Sequence, residues 1–195
     1  EMTLGEAMAK GVLSTPKYVM AMYSYGEELK KLKQRIQTME SRSSARKNME
    51  LLEQLRRAME KADGPDKIFE KHMRMEGKIH GKYIVFCSSR EHMDEMTEHM
   101  HEWFDNVDTS PHRYVAYYSN PETSKAFAEF KADKSEHLKL LYCIDMLNEG
   151  VHVDDVDGVI LLRPTVSPII YMQQIGRCLS AGTNKTPIIF DLVDN

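Results

Sequence analysis

Ser88, Ser89 and Arg90 stand where a short apolar run gives way to a helical pattern. Tyr83-Ile84-Val85-Phe86-Cys87 reads as a strand, and the residues from Arg90 to about Phe104 repeat with helical period. The first amides of a helix lack intrahelical acceptors and sit at its positive end, so such a junction attracts phosphate. Serine there has a second reading, plain N-capping of the helix. Arg163, in Leu162-Arg163-Pro164-Thr165, follows another apolar run, Val159 to Leu162. Ligands gather at the carboxyl ends of parallel strands, so Arg163 either faces a ligand or holds its own loop. His92, Glu95, His99 and Glu102 recur at helical spacing and carry donor types suited to a metal. Met93, Met96, Met100 and Phe104 mark the other face of the same helix, so the polar set is expected to be its solvated side and not a metal site.

Missing motifs narrow the chemistry further. No Gly-x-x-x-x-Gly-Lys-[Ser/Thr] loop is present, and Gly77-Lys78 and Gly81-Lys82 precede a strand where a phosphate loop would follow one. No Gly-x-Gly-x-x-Gly follows a strand. A complete ATP or dinucleotide site of these kinds is therefore absent, while a shared half-site stays open. Cys87, Cys143 and Cys178 are too widely spaced for zinc pairs. Cys87 and Cys143 lie in apolar runs, and all three read as reduced thiols in a reducing cytoplasm.

The elements that must position these residues alternate in type. After Tyr83–Cys87 and its helix come a strand at Val115–Tyr118, a helix from Pro121 to Phe130, and a strand at Leu138–Cys143. A short helical piece at Asp145–Asn148, a strand at Val159–Leu162, a helix from Ile169 to Leu179 and a last strand at Ile188–Val193 complete the series. This alternation predicts an α/β fold: a parallel sheet with helices on both faces and right-handed crossovers.

The first part of the chain is different. Thr3 and Glu6 fit a capping box for a helix over about Leu4–Lys10. Leu13-Ser14-Thr15-Pro16 reads as an extended connector, and Lys17–Tyr25 as helix or packed linker. Leu29, Leu32, Ile36 and Met39 make one helical stripe, and Met49, Leu52, Leu55 and Met59 a second. Ala62-Asp63-Gly64-Pro65 ends that pair, and a further helix is expected from Asp66 to Met75. The sequence thus divides into a helical linker or arm over 1–75 and an α/β domain over 76–195. Between Glu27 and Ala62 ten Lys and Arg face six Asp and Glu, an excess of 10 − 6 = +4 in a chain whose net charge is −4. That basic segment either tracks phosphates or is a solvated helical pair packed by its stripes. Hydrophobic residues make up 42% of the 195, enough for a core, and no apolar run approaches the roughly 20 residues that span a bilayer. No membrane partner is expected, and an opening at Glu1 without a signal peptide suggests an excised fragment.

Three segments in order carry a family resemblance over about a third of the chain. Asp145-Met146-Leu147-Asn148-Glu149-Gly150-Val151-His152-Val153, with Val156 to Thr165, resembles motif V of superfamily 2 helicases. Gln173-Gln174-Ile175-Gly176-Arg177-Cys178-Leu179-Ser180 resembles motif VI, and the strand from Tyr83 running into Cys87-Ser88-Ser89-Arg90 resembles motif IV. The branch it most resembles is the DEAD/DEAH-type group that includes restriction-enzyme motor subunits. Leu4-Gly5-Glu6-Ala7 and Pro16-Lys17-Tyr18-Val19 are similar to the segment joining the two motor domains there.

This resemblance implies a second, RecA-like motor domain, inactive without a first. ATP and Mg2+ would be bound mainly by that missing N-terminal RecA-like domain, the partner within the same protein. Arg177 would be the catalytic arginine finger, because a guanidinium matches the charge spreading over the γ-phosphate oxygens. Gln173, Gly176 and Gly150 would join Arg177 in holding the nucleotide. Ser88, Ser89, Arg90, Asn148 and Glu149 would contact nucleic acid through its backbone, DNA before RNA, since a translocating motor meets every sequence. Many relatives have aspartate where this chain has His152, a second arginine where it has Ser180, and threonine where it has Ile144. His152 and Ser180 motivate an alternative: a degenerate helicase-like module that binds or scaffolds without ATPase activity.

Overall fold

The computed structural model describes residues 15–23, 64–144, 155–162 and 186–194. The strands among them are β1 (Lys17–Tyr23), β2 (Lys82–Cys87), β3 (His112–Ala116), β4 (Lys139–Ile144), β5 (Gly158–Leu161) and β6 (Ile188–Asp194). They form one sheet in the order β1-β6-β5-β2-β4-β3, and every described pairing is parallel. β2 lies centrally, with Ile84 opposite Leu141 on one side and Val159 on the other. Such a strand is covered on both faces, which is why its sequence is continuously apolar.

The pleat sends alternate side chains into two cores. Tyr83, Val85 and Cys87 join Leu140, Tyr142, Ile160, Ile188 and Phe190 on the first face. That face is covered by helices α1 (Pro65–Met75), α2 (Arg90–Glu98) and α3 (Met100–Phe104) through Phe69, Met73, Met93, Met96, Trp103 and Phe104. Phe69 stacks on Phe104 with ring centroids 4.5 Å apart and meets the edge of Phe190 at 4.9 Å. Trp103 lies 6.4 Å from Phe69 and stacks on His99 at 5.7 Å. Ile84, Phe86, Leu141, Cys143, Val159, Leu161 and Ile189 form the second face with Phe127 and Phe130 of helix α4 (Thr123–Ala132). The parallel α/β sheet with helices on both faces is the architecture the alternation predicted.

Several expectations need correction. Lys17–Tyr23 is strand, not helix or linker. Met and Ala are good helix formers, but seven consecutive parallel partners, from Lys17 with Ile188 to Tyr23 with Asp194, outweigh that preference. Lys17 also binds Glu76 at 2.8 Å. Helix α1 begins at Pro65, as the Gly64-Pro65 break implied, yet Phe69 and Met73 are fully buried in the sheet's first core. The expected 1–75 arm is therefore not one separate unit, because β1 and α1 belong to the α/β body. The helix from Arg90 to Phe104 is two, joined at His99. Strand β3 ends at Ala116, so Tyr117 and Tyr118 lie beyond it. Helix α4 starts at Thr123, two residues after Pro121. The helices expected at Leu4–Lys10, within Glu27–Ala62, at Asp145–Asn148 and at Ile169–Leu179 lie outside the described residues, as does the basic segment.

Candidate functional site

Because all six described strands run the same way, their carboxyl ends share one edge. The chain leaves β2 there into Ser88-Ser89-Arg90, β3 into Tyr117-Tyr118, β4 into residue 145 and β5 into Leu162 and residue 163. β2 in the motif IV-like segment, β4 leading into the motif V-like segment and β5 within it therefore end on one rim.

Local hydrogen bonding fixes the β2–α2 junction. Ser89 has extended backbone (φ −148°, ψ 175°), and its hydroxyl accepts from the His92 amide at 3.1 Å. This is the capping that serine supplies at a helix start. The Ser88 amide donates to His92 Nδ1 at 3.1 Å, which makes that nitrogen an acceptor and the Ser88 hydroxyl, 2.8 Å away, a donor to it. Glu91 folds back so that its own amide, and then Ser89, hold its carboxyl below the ordinary value. Both serine side chains are thus engaged by their own helix.

Arg90 is the exposed cation of the junction. Its Nε donates to Asp94 Oδ2 at 3.2 Å, one helical turn on. Its guanidinium carbon lies 4.4 Å from the centre of the Tyr117 ring, and Nη1 donates to the Tyr117 hydroxyl. The β2 and β3 loops are therefore tied across the end of β4. Sequence reasoning missed Tyr117 and Tyr118 by placing them within a strand. The turn-forming Ser119-Asn120-Pro121 that follows was the available signal.

The amino edge is chemically different. Asp157 Oδ2 accepts from the Lys82 amide at 3.0 Å. The ammonium of Lys82 caps the Lys131 carbonyl at 2.6 Å, and buried Lys139 caps the carbonyls of His80, at 3.1 Å, and Ser135. Asp133 accepts from His112 Nδ1 at 2.6 Å and from the Tyr114 hydroxyl at 2.8 Å. Burial alone would raise the Asp133 carboxyl, but these bonds and those from Ser135 hold it well below the usual carboxylate range. The same pairing, after burial, pushes the Tyr114 hydroxyl far up. These polar groups satisfy one another and form the structural rim.

Among the other expected residues, Met93, Met96, Met100 and Phe104 are the buried face of α2 and α3. His99 Nδ1 lies 2.8 Å from Glu102, and among the described residues no group of three His, Cys, Asp or Glu is arranged to hold a metal. Cys87 and Cys143 are buried, one in each core. Arg177, Gln173, Gly176, Gly150, Asn148, Glu149, Arg163, His152, Ser180 and Cys178 lie outside the described residues.

Known proteins share this architecture. A DNA-bound ATP-dependent Type ISP restriction-modification enzyme, LlaBIII, superimposes with a TM-score of 0.53 at 16% identity, over 99% of this chain and 13% of that one. Domain 2 of the DEAD-box helicase Mss116p, bound to an RNA duplex, superimposes with a TM-score of 0.50 at 17% identity, over 65% of this chain and 47% of that one. These likenesses show the RecA-like fold. A 51.5 kDa protein of a Lactococcus phage (isolate 7-9) is 35% identical over 74 residues, 38% of this chain and 16% of the phage protein. The chain thus spans well under two thirds of each of these proteins. The family model of the helicase conserved C-terminal domain matches residues 65–182, more than half of the sequence and starting where α1 starts. The chain belongs to the helicase conserved C-terminal domain family.

Proposed function

We propose that this domain is the second half of an ATP-dependent motor that moves on nucleic acid, lending cationic and backbone groups to a nucleotide held mainly by a first RecA-like domain. The observation that carries this reading is the common rim: β2, β4 and β5, which lie in or lead into the segments resembling motifs IV and V, end on the carboxyl edge of one parallel sheet in a chain of the helicase C-terminal family. That edge is where open α/β sheets take ligands. The donor set proposed here is the Arg177 guanidinium, the Gln173 amide and backbone at Gly150 and Gly176. It suits phosphate oxygens. ATP with magnesium would supply the phosphoryl group whose transfer drives the motor. Arg177 would stabilise charge on that group during cleavage, and Gln173 would hold it in register. Ser88, Ser89, Arg90, Asn148 and Glu149 would meet the backbone of the strand. The Ser88 and Ser89 hydroxyls and the Ser88 amide already serve α2, so the Ser89 amide and the Arg90 side chain would carry that contact. LlaBIII is described bound to DNA and Mss116p domain 2 to an RNA duplex, which supports nucleic acid as the partner.

The test is ATP turnover, with and without single-stranded nucleic acid, by a protein carrying this domain behind a first motor domain. Arg177→Ala is expected to lower stimulated turnover by roughly 10³-fold or more, the usual worth of an arginine finger. Near wild-type stimulated turnover in that variant would remove Arg177 from catalysis. Wild-type protein that binds nucleic acid but shows no stimulated turnover would favour the non-catalytic scaffold that His152 and Ser180 suggest.

A further inference from the structure

Tyr118 is 87% exposed, an unusual position for an aromatic ring in a loop that is otherwise tightly held. The Tyr117 amide donates to the Thr123 hydroxyl at 3.2 Å, and that hydroxyl donates back to the Tyr117 carbonyl at 2.8 Å. The Asn120 amide donates to the Tyr117 carbonyl at 3.0 Å, and the Thr123 amide to the Asn120 carbonyl at 3.1 Å. The Tyr117 ring beneath Arg90 pins the loop from the other side. A loop with this many internal bonds has given up its freedom before any ligand arrives, so a ring displayed on it binds without a large ordering cost.

Its position narrows the ligand. Tyr118 stands two residues past β3 on the carboxyl rim, on the loop whose other tyrosine touches Arg90. Arg90, which touches the same loop through Tyr117, is paired with Asp94, and the exposed Tyr118 ring itself offers a flat apolar face. Such a face suits the planar ring of an unpaired base and adds little for a phosphate.

We propose that Tyr118 stacks on a base of a single-stranded nucleic acid whose backbone passes Arg90. This rests on the reading of the rim as a nucleic-acid edge and adds to it a contact with a base. Every base presents a π-face, so the contact would hold the strand without selecting sequence.

The experiment titrates labelled oligothymidylate, oligouridylate and an abasic strand of equal length against the 195-residue chain, its Tyr118→Ala and Tyr118→Phe variants, and Arg90→Ala. Circular dichroism checks that each variant is folded. Tyr118→Ala is expected to weaken binding of whichever base-bearing strand binds tighter by about 5- to 100-fold, the range of one base–aromatic stack. Tyr118→Phe should keep that affinity, and the abasic strand should bind both Tyr118 variants like wild type. Equal affinity of wild type and Tyr118→Ala for base-bearing strands, with Arg90→Ala weakened on all strands, would overturn the stacking role and leave the nucleic-acid edge standing. No binding of any strand by wild type would overturn both.

Discussion

His72 and Asp133 show how single side chains couple this fold to acid. Burial, then the charges of Lys17 and Lys71, hold the His72 imidazole below its ordinary value, with Glu76 pulling weakly the other way. The unfolded chain would take up that proton near the ordinary imidazole value of about 6.5, before the folded chain does. Protonation therefore favours unfolding, and stability from a neutral His72 is present above that pH and lost as pH falls. Asp133 acts in the same direction lower down. Its folded carboxyl is depressed, so its contribution begins to fade only below the ordinary aspartate value of about 3.8. Urea denaturation at a series of pH values should show a decline starting just below about pH 6.5 that flattens in His72→Gln. A second decline below about pH 4 should flatten in Asp133→Asn. Unchanged slopes in both variants would refute the assignment. Neither role was legible in the sequence, because each rests on burial and on a distant partner, Lys17 for His72 and His112 for Asp133. The capping by Ser89 was legible, since it is set by neighbours three residues on.

At the level of elements, apolar runs located the central strands well. β2, β4, β5 and β6 fall within a residue or so of Tyr83–Cys87, Leu138–Cys143, Val159–Leu162 and Ile188–Val193. A strand buried on both faces has to be apolar throughout, and that pattern survives in one dimension. β1 and β3 lie at the ends of the described sheet order, and there the reading failed. The Met-Ala-Met stretch of β1 has helical propensity, and Tyr117-Tyr118 looks like a strand but is a hydrogen-bonded loop. Packing between strands is equally invisible from sequence. Gly158 opens β5, and a Cβ there would come within 2.7 Å of the Tyr83 ring and press on the Ile188 carbonyl. Tyr83 cannot swing away, because it is buried and its hydroxyl donates to the Lys78 carbonyl at 3.2 Å. Gly158→Ala is therefore expected to destabilise by about 1–3 kcal/mol in urea melts, as overpacking usually does. A loss of less than about 0.5 kcal/mol, the size of an ordinary surface change, would show that the ring can yield.

For the molecule as a whole, the two rims of the sheet divide the labour. Lysines, carbonyls and the Asp157, Asp133 and His112 groups lock the amino rim, while Arg90 and Tyr118 are presented at the carboxyl rim. The sequence placed Ser88, Ser89 and Arg90 where a strand feeds a helix but gave no hint that β1 closes the far side. β6 carries buried Ile188, Phe190 and Leu192, and β1 covers its outer edge. A variant lacking residues through Tyr23 should expose that edge, unfold at lower urea and associate as concentration rises, as seen by sedimentation. A deletion variant that stays monomeric with an unchanged midpoint would show that β1 is dispensable. Trp103, the chain's one tryptophan, is buried between His99 and the ring of Phe69. Indole emission from this molecule therefore has a single source, the seam where the first helix after the Gly64-Pro65 break meets the rest, so it would register that helix peeling away.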